Sequence, residues 1–505
     1  MPQRFVIAIH LTDAQTRMAV IDRAGRIVAE AQRELRQARP RPGWLEYDPN
    51  EIWAQVESTL PDLITSVTVD MSHIAAIGIA AQRGSAVLWD AQTGEPICNA
   101  IATHCLRTAS LCQRLAATDM AMTVRQKTGL TLSPRFSATK TMWALDDVEG
   151  ARERAEGGDV LFGTADSWLA WRLTGGRAHV IDHTNASHTL LYNIHTRTWD
   201  EELLADFRIP AAMLPTVRTS SAAYAETSGT KRTPAGLLIG GIVGDEPATL
   251  FAQGCHRRGT AKIRLADACV PVINTGEEAA EPPPETMATT VCGPGGEPLH
   301  ALEAALPMGA GVIEWLHGGL GLVASGEEAA ALPQQVGDTG GVQVVPAGDR
   351  HAAAQREPDP RWAILGLSAR TTKAHVVRAT LESIAHQAAD ALQAMGGAAG
   401  LGLQTLRADG PGAANDFLLQ FLADIVDAVV ERPANPETHL MGAAFIAGLA
   451  AGFWLDAEET ASLLQVERRF EPQMPHGERT KRRTAWQGGL MAAQGAPPPP
   501  AFGDA

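Results

Sequence analysis

Short apolar runs separated by turns dominate the first hundred residues. Their length and their β-branched content predict strands, because a pleated strand buries alternate or continuous apolar positions over four to eight residues. The runs lie at residues 5–9, 17–22, 27–29, 74–79 and 87–90. The first three are joined by short turns, so we expect the chain to begin with a β-meander.

Helical periodicity follows. Residues 109–154 show helical spacing that is broken at 131–134, and residues 162–171 are predicted to form a capped helix that stops at Thr174-Gly175-Gly176. Asp48 is the expected cap of an earlier helix through residues 51–56. In the second half, the predicted elements are a strand pair at 260–272, strands at 342–346 and 406–410, and helices at 374–395 and 417–426.

A glycine-rich corner stands in the middle of the chain. The apolar run 237–239 leads into Gly240 to Gly244, then Asp245 and Glu246, and Pro247 suits the first turn of a helix. A carboxylate held at such a corner can take a proton from a substrate hydroxyl. The simpler interpretation of Asp245, as a helix N-cap, stays open on this stretch alone.

Both halves begin with strands and then alternate strands with helices, which predicts two α/β domains. A chain of 505 residues also exceeds what one hydrophobic core usually supports. We expect the boundary near Asp245 and a ligand in the crevice between the domains.

Composition narrows the range of partners. A formal net charge of −15 argues against a nucleic-acid partner, which needs clustered Lys and Arg. The six cysteines are too scattered for a disulfide framework, and no C-x-x-C pair indicates structural zinc. Without a visible signal peptide or membrane span we expect a cytoplasmic protein, and residues 496–500 predict a Pro-rich tail.

Several longer motifs stand out, at residues 42–44 through 52–53, 75–79, 161–164, 184–187, 244–245, 344–347, 379–385 and 441–444. Together they resemble the motifs of the glycerol kinases of the FGGY carbohydrate kinase family. The resemblance implies two ribonuclease-H-like domains of the actin and hexokinase type, closing over glycerol and ATP with Mg²⁺. It places the domains at residues 1–248 and 249–490, with a tail at 491–505, and it implies a homodimer or homotetramer.

The same resemblance assigns site residues. Asp245 matches the catalytic base, Arg83 and Glu246 stand at polyol-binding positions, and Arg17 and Asn415 stand at nucleotide-binding positions. It assigns no protein metal ligand in this chain.

The three phosphate-binding loops of the family differ here. The first carries His10, Leu11 and Asp13 where the family has Asp-x-Gly-Thr-Thr, and Mg²⁺ prefers oxygen ligands to imidazole. The second is Leu265 to Ala268 in place of Tyr-Gly-Thr-Gly, and the third is residues 350–357. Pro411 also replaces a glycine on the adenosine side, where it removes a backbone donor.

The polyol pocket is altered as well. Relative to the family, the replacements are Gly84 for glutamate, Thr103 for tryptophan, Arg135 for tyrosine, Glu246 for glutamine and Val270 for phenylalanine. Glu246 beside Asp245 is a like charge that raises the pKa of one of the two.

We therefore expect a glycerol kinase-like protein in which phosphoryl transfer is lost or strongly impaired. Two alternatives stay open: an active ATP-dependent kinase for glycerol or a related polyol, and a non-kinase ligand-binding or regulatory protein. The second alternative is suggested by new polar groups, of which His10, Asp13 and Asp267 are candidate ligands for a softer metal ion. The new polar groups are His10, Asp13, Arg135, Asp267, Arg350 and His351.

Overall fold

The computed structural model describes residues 4–67, 71–306, 308–309, 311–346 and 362–494. In chain order its strands are β1 Phe5–Leu11, β2 Gln15–Asp22, β3 Ile27–Glu34, β4 Gln37–Ala38, β5 Glu46–Tyr47, β6 Ile74–Ala81, β7 Val87–Asp90, β8 Ala100–Ile101, β9 Val160–Gly163, β10 Val180–Asp182, β11 Tyr192–Asn193, β12 Thr198–Trp199, β13 Thr216–Arg218, β14 Ser221–Ser228, β15 Ala235–Gly244, β16 Ala261–Leu265, β17 Cys269–Gly276, β18 Thr286–Cys292, β19 Pro298–Ala304, β20 Gln343–Pro346, β21 Trp362–Leu365, β22 Thr405–Asp409, β23 Val429–Pro433 and β24 Val466–Phe470.

The α-helices are α1 Pro49–Ser66, α2 Ala109–Ala116, α3 Met120–Thr128, α4 Ser137–Asp147, α5 Ala151–Glu156, α6 Ala165–Leu173, α7 His183–Ala186, α8 Glu201–Asp206, α9 Asp245–Ala252, α10 Gly311–Glu314, α11 Gly326–Ala331, α12 Lys373–Ala399, α13 Asp416–Val426, α14 Thr438–Ala450, α15 Ala457–Ser462 and α16 His476–Gln494. Short 3₁₀ turns lie at Met71–His73, Ala211–Met213, Leu332–Gln335 and Pro411–Ala414, and a π-helical turn at Trp315–Gly319.

The first large sheet has six strands in the order β14-β15-β6-β1-β2-β3. β1, β2 and β3 pair antiparallel as the predicted meander, whereas β6 pairs in parallel with β1 and with β15. Asp48 caps α1, because its carboxylate accepts the Asn50 N–H at 2.9 Å. Both observations confirm the sequence predictions.

The second large sheet has seven strands in the order β18-β19-β17-β16-β22-β23-β24. β22 pairs in parallel with β16 and β23, and the other neighbours are antiparallel. Helix α12 packs against α13 and β17 and buries a stripe that includes Val377, Leu381 and Ile384. This helix begins and ends close to the predicted bounds of 374–395.

Helix α14 lies after the second sheet in the chain but packs on the first. It contacts β1, β6 and β15, and it also contacts α9, the helix that begins at Asp245. Two glycines permit this close packing: a Cβ on Gly78 would lie 2.0 Å from the Ala443 carbonyl oxygen, and a Cβ on Gly442 would lie 2.0 Å from that of Ala248. The strand-to-helix corner at Asp245 is therefore held by both halves of the chain.

One element was predicted wrongly. Residues 162–171 do not form a single helix, because Val160–Gly163 is a strand paired antiparallel with β7, and the helix begins only at Ala165. Every residue from Phe162 to Trp171 is buried, polar ones included, so periodicity alone did not separate the strand from the helix.

Two predicted segments lie wholly or partly outside the described residues. The third phosphate loop at 350–357, including Arg350 and His351, lies wholly outside them. For the tail, α16 continues to Gln494, four residues into the segment 491–505. The remainder of that segment is not described.

Candidate functional site

Asp245 is the first residue of α9, and Gly244 occupies the N-cap position. A Cβ on Gly244 would lie 2.6 Å from Cδ of Arg83, so the glycine lets the arginine side chain run alongside the corner. Oδ1 of Asp245 accepts the Glu246 N–H at 2.9 Å and the Arg83 Nε–H at 3.2 Å. Oδ2 makes no hydrogen bond with a described residue, so one carboxylate oxygen stays free for a ligand.

The environment of Asp245 makes it a better base than an ordinary aspartate. Burial raises the pKa of its carboxyl, and the Glu246 charge adds to this, while the Arg83 guanidinium opposes it. The outcome is a pKa above the usual range, which favours proton transfer from a substrate hydroxyl near neutral pH.

Arg83 joins the two large sheets. Its guanidinium donates two hydrogen bonds of 3.0 Å to the carboxylate of Glu303, on β19 of the second sheet. The same Nη1 lies 3.2 Å from the Thr289 hydroxyl and 2.7 Å from the His188 ring nitrogen. Although burial opposes its charge, Glu303 and Asp245 together raise the pKa of Arg83, so it stays cationic.

Glu246 turns away from Asp245 towards two cations on β16. It pairs with the fully buried Lys262, and Arg264 Nε lies 3.8 Å from its carboxylate. Burial of the Glu246 carboxyl favours the neutral form, but the charges of Lys262 and Arg264 outweigh it and hold its pKa below the usual range. Of the two neighbouring acids, Asp245 is therefore the one whose pKa is raised.

A cavity of about 250 Å³ brings these groups together. Three of the five predicted site residues line it: Asp245, Arg83 and Glu246. The other two, Arg17 and Asn415, lie outside its lining. Its charged lining residues are Arg83, Arg135, Asp245, Glu246, Arg264, Asp267 and Glu303.

Arg17 and Asn415 have protein partners in this structure. Arg17 forms an ion pair with Glu437, and the Asn415 side chain accepts the Leu418 N–H at 3.0 Å as the N-cap of α13. The Asn415 Nδ2 is buried without a partner among the described residues. Their roles towards a nucleotide stay predictions.

In the first phosphate loop, the side chains of His10 and Asp13 contact other parts of the protein. The His10 ring stacks on His439 at 4.3 Å between centroids, and burial, with the Arg264 and Arg17 charges, lowers the pKa of His10 to about 3. Its Nε2 is buried without a hydrogen bond in the described part of the chain. Asp13 accepts the Thr103 N–H at 2.9 Å, so it faces inward and does not stand in the cleft as a free charge.

In the second phosphate loop, one backbone amide is bonded within the turn. The Ala266 N–H donates to the Ala268 carbonyl at 3.1 Å, and a Cβ on Gly309 would lie 2.1 Å from the Ala266 carbonyl oxygen. A backbone amide that is bonded within its own turn is not available to a phosphate oxygen.

Within the described residues, no group of three or more His, Cys, Asp or Glu side chains could hold a metal ion. The suggested set of His10, Asp13 and Asp267 is therefore not assembled. A neutral imidazole at the first loop also suits Mg²⁺ poorly, since this ion prefers oxygen ligands.

Three charged residues of the site were missed in the sequence analysis. Glu303 contacts an arginine 220 positions away, and no local pattern marks that pair. The spacing of Lys262 and Arg264 could have indicated their role. Alternate residues of a strand share one face, and two cations on one face of a buried strand need anionic partners.

Two mixed sheets flanked by helices, with a polar cavity at their junction, define a two-domain α/β protein of the actin and hexokinase type. The chain belongs to the FGGY family of carbohydrate kinases: the N-terminal domain of that family matches residues 5–252 and the C-terminal domain matches residues 268–451. The predicted fold class and family are thereby confirmed.

Similar proteins agree with this assignment. A glycerol kinase of Carboxydothermus hydrogenoformans is 44% identical over 98% of this chain and 99% of that protein. One of Enterobacter sp. is 43% identical over 97% and 98%. The crystal structure of Plasmodium falciparum glycerol kinase with ADP superposes with a TM-score of 0.89 at 27% identity, covering 98% of this chain and 99% of that one.

Proposed function

We propose that this chain is a glycerol kinase-like protein that keeps the base and Arg83 of an otherwise altered polyol pocket but transfers a phosphoryl group poorly or not at all. The observation that carries the proposal is His10, a buried neutral imidazole stacked on His439 where the family places an organising carboxylate. Mg²⁺ lacks its usual oxygen ligand there.

The polyol half of the reaction is supported by Asp245 and Arg83. A hydroxyl in the cavity would donate to the free Oδ2 of Asp245, whose raised pKa suits a general base. Arg83, held by Glu303, fixes the orientation of that carboxylate through its contact at 3.2 Å.

The nucleotide half has less support. Phosphoryl transfer depends on donors and metal ions placed around the phosphates, and loss of one such donor costs about 10²–10³ in rate. Here His10 of the first loop is stacked on His439, and the Ala266 amide of the second loop is bonded to the Ala268 carbonyl. Several losses together reduce the rate further.

An active ATP-dependent kinase for glycerol or a related polyol is the second candidate. It is favoured by 42–44% identity to glycerol kinases over nearly the full chain and by the intact Asp245–Arg83 contact. On this proposal Arg17 and Asn415 contact the nucleotide, and their present partners are exchanged when it binds.

The proposal also includes the domain bounds 1–248 and 249–490, a cytoplasmic location and a homodimer or homotetramer. No helix in the described part of the chain is long and apolar enough to cross a membrane.

Calorimetric titration with Mg-ATP tests the proposal, with the Carboxydothermus hydrogenoformans glycerol kinase as the matched control. We expect binding at least 100-fold weaker than in the control, and glycerol phosphorylation slower by a similar factor or more. Binding and turnover within tenfold of the control would overturn the proposal and establish the second candidate.

A further inference from the structure

We propose that Arg135 makes the cavity beside Asp245 a site for a small polyol that carries a carboxylate, such as a three-carbon hydroxy acid. The inference rests on the proposed function, because it assigns a ligand class to the same polyol pocket. It concerns binding and does not require that phosphoryl transfer occurs.

Among the described residues, Arg135 is the one arginine of the cavity lining whose side chain has no protein partner. Arg83 is bound to Glu303 and Asp245, and Arg264 lies 3.8 Å from Glu246 and 3.6 Å from Asp409. The half-buried guanidinium of Arg135 makes neither a hydrogen bond nor an ion pair, although it lines the cavity.

A guanidinium in such a place favours a planar anion. Arginine stays charged and presents a rigid set of donors that matches a carboxylate in a bidentate arrangement. A partly buried charge without a partner is costly, so a ligand carboxylate would recover part of the desolvation energy. Four carboxylates line the cavity, and three of them are engaged: Glu303 and Asp245 by Arg83, and Glu246 by Lys262. The fourth, Asp267, lies exposed at the rim.

The backbone that carries Arg135 is tied to two other segments of the cavity wall. The fully buried Lys140 donates from Nζ to three carbonyl oxygens: Gly84 at 2.7 Å, Thr103 at 3.1 Å and Arg135 at 3.0 Å. These carbonyls belong to three segments that border the cavity, so one ammonium ties them together.

Gly84 completes the arrangement. Its φ is +86°, and a Cβ there would lie 2.4 Å from the Arg135 carbonyl oxygen. The glycine therefore lets the backbone at residue 135 approach the segment that follows β6. The short side chains of Thr103 and Val270 leave a volume of about 250 Å³, which suits a compact ligand.

Calorimetric titration without nucleotide tests the inference, with D-glycerate and glycerol as probes. The variants are Arg135→Gln, Arg135→Lys and, as a matched control, the exposed Arg114→Gln on α2. Melting temperatures establish that each variant is folded.

We expect the unchanged protein to bind D-glycerate at least tenfold more tightly than glycerol. Arg135→Gln should reduce this preference at least tenfold, Arg135→Lys should retain part of it, and Arg114→Gln should keep it. Equal affinity for the two probes, no D-glycerate binding, or an unchanged preference in Arg135→Gln would each overturn the inference. Because no nucleotide is present, these results are independent of the Mg-ATP titration that tests the proposed function.

Discussion

The carboxylate of Glu303 accepts two hydrogen bonds of 3.0 Å from Arg83, and the two residues belong to different halves of the fold. Glu303 lies on β19 of the seven-stranded sheet, and Arg83 follows β6 of the six-stranded sheet. Both side chains are only 6% exposed. This pair therefore fixes the position of Asp245 and also links the two halves at the site.

Glu303→Ala should destabilise the protein strongly. It leaves the buried guanidinium of Arg83 with Asp245 as its remaining anion, and breaking a buried pair by removing one partner costs about 3–5 kcal/mol. The free energy of unfolding in urea measures the loss.

The chain offers a matched control at the surface. Glu467 also accepts two hydrogen bonds from one arginine, Arg432, but its side chain is 53% exposed. Glu467→Ala should cost no more than about 1 kcal/mol, because solvent screens such pairs. Similar losses in the two variants would show that burial does not govern the Arg83–Glu303 pair.

Asp245→Asn should abolish whatever phosphoryl transfer the protein performs. The amide cannot take a proton, and loss of a general base costs about 10²–10⁴ in rate. A coupled assay at high enzyme concentration measures kcat, and the KM for the polyol should change much less. As a control, Asp146→Asn alters an exposed carboxylate that is paired with Arg152 and Arg208. Retention of more than a tenth of kcat in Asp245→Asn would exclude this residue as the base.

The parts of the fold that sequence predicts well are local. The β1–β3 meander, the Asp48 cap and the long helix α12 each depend on residues close in the chain, where periodicity and capping chemistry act. The strand at Val160–Gly163 was missed because its identity depends on pairing with β7, which lies more than 70 residues earlier.

In the candidate site, too, some residues were predicted from the sequence and their distant partners were not. Family resemblance predicted Asp245, Arg83 and Glu246 as site residues, and all three line one cavity, although their roles stay predictions. Their partners Glu303 and Lys262 were not found, since each contact is made across strands or between sheets. Asp13 shows the limit most clearly, because nothing near it in the sequence indicates that its carboxylate accepts the N–H of Thr103, 90 residues further along.

Asp166 should make stability depend on pH. Burial, with a smaller contribution from the nearby Asp182 carboxylate, raises the pKa of Asp166 from 3.8 to about 7. The unfolded chain then releases this proton at lower pH than the folded protein does, so the free energy of unfolding falls as pH rises from about 4 to about 7 and levels off above that. Since one pKa unit corresponds to about 1.4 kcal/mol, the full effect is about 4 kcal/mol.

Asp166→Asn isolates this contribution. The Asn185 Nδ2 that lies 3.3 Å from the Asp166 carboxylate can still donate to an amide oxygen, so the contact survives. We expect the variant to gain stability relative to the unchanged protein as pH rises from 4 to 8, measured by urea unfolding at a series of pH values. A difference that is constant over this range would contradict the raised pKa.

Gly84→Ala should disturb the cavity as well as the backbone. Gly84 has a φ of +86°, where an L-residue costs about 1–2 kcal/mol, and the new Cβ would also meet the Arg135 carbonyl oxygen at 2.4 Å. Gly150→Ala is the matched control, because its φ is +70° and a Cβ there meets nothing within 4 Å. In Gly150→Ala the free energy of unfolding should fall only by the conformational cost. In Gly84→Ala it should fall by at least about twice as much, since overpacking alone costs about 1–3 kcal/mol. Because the Arg135 carbonyl must move, Gly84→Ala should also weaken polyol binding, as measured by calorimetry, whereas Gly150→Ala should leave it unchanged. Equal effects of the two substitutions on stability and on binding would show that the Gly84–Arg135 contact does not shape the pocket.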